Sequence, residues 1–260
     1  MTETSTRPTR LLHALNPLAT IAGPLPAILF LIFTRDIATP VSFIALAYLL
    51  LLTGSRLNAR RLLVLFIALP AAAVILGLGF SLWTDASTLD HDTALLSIGN
   101  YRLYLSAVEV GSATALRLIS IVALALLTGF ASRGPDLVRS AVAHLRVPYR
   151  VGYAALASYR FVPRFRYELD VIRKAHRVRG AMGGRGPIAA VRRTIGYIVP
   201  LLASAIRHAE RVSLSMDARA FGAHPSRTER HEVPFRTRDT MFIVGFWTLS
   251  AVIITSIRIA

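Results

Sequence analysis

The sequence predicts an all-α integral membrane protein with about five transmembrane helices and a long helical cytoplasmic segment inserted before the last span. Three observations support this prediction. The 260 residues are 54% hydrophobic and only 17% charged, which is more apolar than an ordinary soluble domain. Apolar runs recur at lengths close to those that cross a hydrocarbon core as a helix. The net charge of +16 is concentrated in one segment.

The apolar runs divide the chain into three regions. Residues 1–131 form an N-terminal membrane region of four spans, 132–238 form the inserted cytoplasmic segment, and 239–260 contain the last span. Because the second run is short and two prolines interrupt the first, we expect these two to be tilted, kinked or partly re-entrant. The five runs lie at residues 18–34, 41–54, 62–83, 110–131 and 241–257.

The distribution of arginine predicts the orientation, because basic residues stay on the cytoplasmic side of a membrane. Arg7 and Arg10 precede the first span, and a second basic group at 56–61 lies between the second and third spans. The loop after the third span carries three aspartates and one arginine, which indicates the external side. The polar N-terminus lacks the pattern of a signal peptide, so we expect it to remain in the cytoplasm.

The inserted segment, 132–238, contains 21 basic and 7 acidic residues. We expect helices over 135–146, over 149–182 with a break at Pro163, and over 187–221. The third is amphipathic, but its stretch from 197 to 206 is apolar nearly all round, so we expect it beneath or partly within the membrane, kinked at Pro200. Its apolar face comprises Leu202, Ile206, Ala209, Val212 and Met216.

Two of these helices end in an arginine between small or apolar residues. "HRVRGAMGG" contains Arg179 and "SMDARAFG" contains Arg219. Cations are favoured at this end of the helix dipole, so capping on a solvated basic face explains either arginine alone. The repetition favours docking, because small neighbours let a partner approach while the guanidinium binds a carboxylate or backbone carbonyls. The neighbours are Val178 and Gly180 in the first case and Ala218 and Ala220 in the second.

Arg117 lies inside the fourth predicted span. A charge at membrane depth costs several kcal/mol, so it should face the protein interior and have a partner. Glu109 is nearly two turns earlier, but about 12 Å along a helix is too far for direct pairing. We favour a structural anchor, with a transport pathway as the alternative.

Catalytic motifs are absent from the sequence. With Lys174 as its one lysine, the chain contains no GxxxxGK[ST] phosphate-binding loop, so ATP-driven work would need another subunit. There is no cysteine, and the seven histidines form no metal-binding pattern. Asp90, His91 and Asp92 suit a solvated loop better than a weak cation site. We therefore assign no cofactor, metal or nucleic acid partner, whereas anionic lipid is a plausible secondary partner.

Several motifs occur together in an order that resembles a known family. They are "LNP" at 15–17, Arg117, "LRVP" at 145–148, "YRFVP" at 159–163 and the two arginine motifs. This set resembles the transmembrane coupling subunit, or T component, of energy-coupling-factor (ECF) transporters, the EcfT/CbiQ family. The resemblance covers nearly the whole chain. Val178 departs from the alanine that is commonest at the first motif.

The resemblance implies a non-catalytic subunit of an ABC importer for a vitamin or metal ion in a bacterial or archaeal cell membrane. It implies that Arg179 and Arg219 each dock into one of two ABC ATPase subunits. The apolar faces of the coupling helices would then hold a small membrane substrate-binding protein, the S component. Two alternatives remain: a self-contained membrane transporter or substrate-binding membrane protein, and a membrane-bound enzyme.

Overall fold

A computed structural model divides the chain into two compact units. Unit 1 comprises Met1–Ser140 and Val233–Ala260, and unit 2 comprises Ala141–Glu232. The structure describes residues 11–55, 58–84, 94–98, 101–180, 186–225, 228, 229, 231 and 233–259.

Unit 1 consists mainly of apolar helices. A long helix over Ala59–Trp83 combines α4 (Ala59–Leu63), a π-helical turn (Val64–Ala68) and α5 (Leu69–Trp83). The π turn ends two residues before Pro70, whose missing N–H interrupts a regular α-helical ladder, and the Leu69 N–H bonds the Val64 carbonyl. The helices are α1 (Pro17–Ala22), α2 (Leu25–Leu31), α3 (Ala38–Gly54), α4 (Ala59–Leu63), α5 (Leu69–Trp83), α6 (Leu105–Ala131), the start of α7 (Gly134–His144), and α10 (Thr237–Ile259).

The predicted all-α class is confirmed, with one small addition. Strands β1 (Ala94–Ile98) and β2 (Tyr101–Tyr104) form an antiparallel hairpin with a bulge between Ala94 and Leu96. Aromatic and β-branched residues favour this extended backbone, which the charge-based interpretation of the loop did not consider. The predicted external residues 85–92 lie outside the described part of the chain.

Helix α6 forms the centre of unit 1, with α3 and α5 packed along it. The largest fully buried hydrophobic side chains are Phe43, Leu31, Leu51, Leu65, Leu124 and Leu127. At position 111 an added Cβ would lie 2.8 Å from the Ser81 Cα, so glycine is what allows α5 and α6 to approach so closely. Small residues therefore set the helix spacing, as is usual in membrane proteins.

Four helices among the described residues are long and apolar enough to cross a membrane. Three, Ala59–Trp83, Leu105–Ala131 and Thr237–Ile259, coincide with the predicted third to fifth spans. The predicted first and second spans correspond to shorter apolar helices. The fourth long helix is Pro187–Asp217, which the sequence assigned to the cytoplasmic segment. The number of spans therefore stays a prediction.

Unit 2 contains two long helices, α8 (Tyr149–Val178) and α9 (Pro187–Asp217), which contact each other in antiparallel order. Phe221, just beyond α9, packs against Tyr149 near the start of α8. At the other end, the His176 ring meets the Tyr197 ring edge-on at 5.3 Å. The end of α9 therefore lies beside the start of α8, and the end of α8 lies beside Tyr197, about three turns after α9 begins.

Two predicted features of these helices are wrong. Helix α8 continues through Pro163, where we expected a break, because the Phe161 ring packs on Phe165 at 4.3 Å across the proline and stacks on His208 of α9. Loss of the proline N–H removes one helical hydrogen bond, and these ring contacts hold the turns on both sides. The helices also end at Val178 and Asp217, before residues 182 and 221, because a left-handed residue follows each end.

Candidate functional site

The first arginine motif forms a left-handed cap at the end of α8. Arg179 follows Val178 with φ −75° and ψ 0°, and its N–H bonds the Ala175 carbonyl at 3.1 Å. Gly180 then adopts φ 61°, and its N–H bonds the Arg177 carbonyl at 3.2 Å. Glycine suits this position because it has no Cβ to clash in the left-handed region.

The second motif repeats this geometry at the end of α9. Ala220 has φ 54°, and its N–H bonds the Asp217 carbonyl at 2.9 Å. The Phe221 N–H bonds the Met216 carbonyl at 3.0 Å, which completes the two hydrogen bonds of a Schellman cap. An alanine in this conformation costs about 1 kcal/mol relative to the right-handed region. Other contacts must therefore support this end.

The two arginines occupy equivalent positions, each immediately before its left-handed residue. Both side chains are exposed. Among the described residues, neither guanidinium forms an ion pair or hydrogen bond that would occupy it. The cap leaves each arginine next to the unpaired carbonyl end of a helix, where a cation is favoured. The geometry therefore presents two similar guanidinium groups for binding.

The antiparallel packing places these two arginines at opposite ends of the helix pair. Arg179 follows the end of α8 and Arg219 follows the end of α9, which lies beside the start of α8. Helix α8 has 30 residues, or about 45 Å at 1.5 Å per residue. That separation allows two different protein molecules to bind, one at each end.

The start of α8 holds the segment that follows Arg219. The Phe221 ring lies edge-on to Tyr149 at 5.7 Å and to Tyr153 at 6.2 Å. The Tyr149 hydroxyl donates to the His224 carbonyl at 2.6 Å, and Arg150 Nη2 donates to the Gly222 carbonyl at 2.5 Å. Sequence reasoning missed these residues, although the i,i+4 spacing of two tyrosines was an available signal.

The predicted apolar face of α9 is only partly open. Leu202, Ile206 and Ala209 are exposed, whereas Val212 and Met216 are half-buried. Val212 and Met216 lie one and two turns after His208, which stacks on Phe161 of α8, so they share its side of the helix. The exposed apolar surface instead extends toward the start of α9, through Ile188, Val191, Ile195, Ile198 and Val199.

Arg117 is half-buried in α6, and its Nε is buried without a hydrogen bond within the described residues. Its charge acts on Asp36, in the segment between α2 and α3. Burial alone would raise the pKa of Asp36, but hydrogen bonds from Thr39 and the positive charge of Arg117 bring that pKa below its usual value. The Thr39 N–H donates to Asp36 Oδ2 at 2.7 Å. Sequence reasoning considered Glu109 for Arg117, found it too far along the helix for a direct pair, and did not consider Asp36.

The sequence matches the model of a known protein family over the region that contains both arginine ends. The family model for CbiQ, described as a cobalt transport protein, matches residues 8–230. The chain belongs to the EcfT/CbiQ family. The predicted resemblance is thus confirmed, and both capped arginines fall within the matched region.

Individual relatives match over shorter lengths. The EcfT transmembrane protein of the energy-coupling factor transporter from Thermotoga maritima is 31% identical over 138 residues, which is 50% of each chain. That from Bacillus subtilis is 25% identical over 167 residues, or 61% of this chain and 63% of the relative. That from Exiguobacterium sibiricum is 26% identical over 205 residues, or 76% and 78%. The chain therefore spans about half to three quarters of these relatives.

Proposed function

We propose that this protein is the transmembrane coupling subunit of an ECF-type ABC importer. It transmits the ATP-driven motion of two ABC ATPase subunits to a membrane S component that takes up a vitamin or a metal ion. The protein itself is non-catalytic, and ATP is bound by the partner subunits. The observation that carries the proposal is the pair of exposed arginines in matched helix caps at opposite ends of α8 and α9.

The caps suit docking because they fix the backbone while leaving the guanidinium available. An arginine fork binds carboxylates or backbone carbonyls with defined geometry, and the small residues Gly180 and Ala220 beside it allow close approach. Each ATPase subunit would receive one arginine, Arg179 in one and Arg219 in the other. The separation of about 45 Å along α8 is compatible with two such partners.

The exposed apolar surface of α9 supports the second half of the proposal. Leu202, Ile206 and the residues preceding them are exposed, yet the helix also carries basic residues. Contiguous exposed apolar surface marks a membrane or protein contact. We assign it to the S component, so that ATP-driven motion at the arginine ends reaches the substrate-binding protein along one continuous helix.

The charge distribution supports the orientation. Segment 132–238 carries the excess of arginine, so by the positive-inside rule it faces the cytoplasm, as does the N-terminus. This orientation places Arg179 and Arg219 on the side where ATP is available. The protein would then be a multi-pass component of the cell membrane.

Purification of the tagged protein from its own membranes tests this function. We expect ATPase subunits to co-purify with the wild type and to be lost from the Arg179→Glu, Arg219→Glu double variant, because each substitution places a negative charge at a docking point. Arg160→Glu, Arg192→Glu is the matched control, since both arginines are exposed within the helices and not at a cap. Equal recovery of ATPase with the double variant and the control would contradict the proposal.

The alternative, a self-contained transporter, would rely on charged groups within the membrane helices, for which the sequence offers Glu109 and Arg117. Liposomes that contain the purified chain alone distinguish the two functions. The coupling function predicts no ATP hydrolysis and no uptake of cobalt or water-soluble vitamins without partner subunits. Uptake by the chain alone would favour the alternative.

A further inference from the structure

A buried polar cluster in unit 1 lies where the chain leaves for unit 2 and where it returns. Unit 2 begins after Ser140 and ends before Val233. Asn16, Ser140 and Asp239 are only 2%, 0% and 1% exposed. Buried polar side chains require hydrogen bonds, and Asn16 bonds to both Ser140 and Asp239. We call Asn16, Ser140, Asp239 and the Val233 carbonyl the root cluster.

Asn16 forms the centre of the root cluster. Its Oδ1 accepts hydrogen bonds from the Leu18 N–H at 2.9 Å and from the Ser140 hydroxyl. Its Nδ2 donates to the Val233 carbonyl at 3.2 Å, and its backbone N–H donates to Asp239 Oδ1 at 2.7 Å. One asparagine thus binds the last residue before unit 2 and the first residue after it.

Helix capping alone does not explain this choice of residue. The bond from the Leu18 N–H makes Asn16 the N-cap of α1, and serine or aspartate would serve there equally well. Only an amide side chain of this length caps the helix, accepts from Ser140 and also donates to Val233. Asparagine at position 16 therefore suits a residue that holds the two chain segments on either side of unit 2.

Further hydrogen bonds join α1 to the helices of unit 1. Thr128 Oγ1 in α6 donates to the Thr20 carbonyl at 2.8 Å, and Trp247 Nε1 in α10 donates to the Ala22 carbonyl at 3.1 Å. Asp239 also accepts the Arg236 N–H at 2.6 Å, which fixes the start of α10. A displacement of the root cluster would therefore act directly on α1, α6 and α10.

We propose that the root cluster transmits the motion of unit 2 to the membrane helices, with Asn16 as its positioning residue. This inference rests on the proposed coupling function. When both connections are bound at one point, a force on unit 2 moves that point as a whole. When that attachment is lost, the connections move separately and the motion does not reach unit 1.

Hydrogen–deuterium exchange of the co-purified complex, with and without ATP and vanadate, tests this role. In the wild type we expect nucleotide to change exchange both in unit 2, over 212–225, and in unit 1, over 17–31 and 237–259. Asn16→Ser keeps the N-cap but cannot reach both Ser140 and Val233. This variant should retain ATP hydrolysis within about twofold of the wild type and show the same nucleotide-dependent change in amide exchange in unit 2. Its nucleotide-dependent change in amide exchange in unit 1 should be at least threefold smaller.

Asn58→Ser is the matched control, because Asn58 is also an N-cap residue but forms no side-chain capping bond. Ser140→Ala, which removes a single hydroxyl from the root cluster, should also make the nucleotide-dependent change in amide exchange of unit 1 smaller. Wild-type behaviour of both root variants would overturn the inference, as would loss of complex assembly in both, since the cluster would then be only structural. Failure of the proposed function differs from either result, because the wild type itself would then retain no ATPase.

Discussion

The two arginine ends share a cap but differ in what holds it. Arg179 is followed by Gly180, for which the left-handed conformation costs little. Arg219 is followed by Ala220, which adopts the same conformation against its preference. Contacts of Phe221, Gly222 and His224 with the start of α8 support the second end. Local glycine chemistry thus explains one cap, and tertiary packing explains the other.

This difference suggests how each arginine reaches its partner. A group already held in its bound conformation loses less entropy on binding. At the Arg219 end, four interactions with Tyr149, Arg150 and Tyr153 fix the backbone in advance. The Arg219 end should therefore depend on the integrity of α8, whereas the Arg179 end should depend on Gly180.

Removal of the Phe221 ring should have the largest effect on the difference between the two arginine ends. Phe221→Ala deletes two edge-on aromatic contacts, each worth about 0.5–1.5 kcal/mol, so the Arg219 end should lose its support. We expect ATPase binding at that end to weaken about tenfold. Binding measurements with purified ATPase subunits in detergent provide the readout. Tyr167→Ala is the control, because it removes an exposed aromatic ring of α8 that takes no part in the contacts of Phe221. Equal effects of the two variants would contradict the account.

Substitution of the left-handed residue at each cap should give smaller changes in helix-end stability, of opposite sign at the two caps. Gly180→Ala should destabilise the end of α8 by about 1 kcal/mol, since a Cβ meets no atom within 4 Å and only the backbone conformation is strained. Ala220→Gly should stabilise the end of α9 by about 0.5 kcal/mol. Amide exchange in the last turn of each helix measures both changes. Gly245→Ala, in the open surface of α10, is the reference. If the two substitutions changed helix-end stability in the same direction, the two caps would not share one left-handed conformation.

The sequence predicted the features that depend on neighbouring residues. Helix periodicity and proline and glycine signals placed α7, α8 and α9 close to their observed positions, and the repeated arginine with small neighbours identified both helix ends. These signals are local, because capping and amphipathicity involve residues within one or two turns. The continuity of α8 through Pro163 was missed because it depends on a ring of α9, His208.

The features that sequence reasoning missed join distant segments. The charge of Arg117 acts on Asp36, Phe221 packs against two tyrosines of α8, and Asn16 binds Val233. A single sequence does not show which distant residue a polar or aromatic side chain contacts. The half-burial of Val212 and Met216 on the predicted apolar face of α9 likewise depends on a distant contact, that of His208 with Phe161 of α8.

The central claim is that each arginine end contacts an ATPase subunit. Photo-crosslinking in native membranes tests it most directly, with benzoylphenylalanine at Val178 in one protein and at Ala218 in another, since both side chains are exposed. We predict that each position captures an ABC ATPase subunit. Arg179→Glu should reduce capture at 178 at least tenfold and leave capture at 218, and Arg219→Glu should do the reverse. Absence of any ATPase crosslink at both positions, with the chain intact in the membrane, would contradict the account.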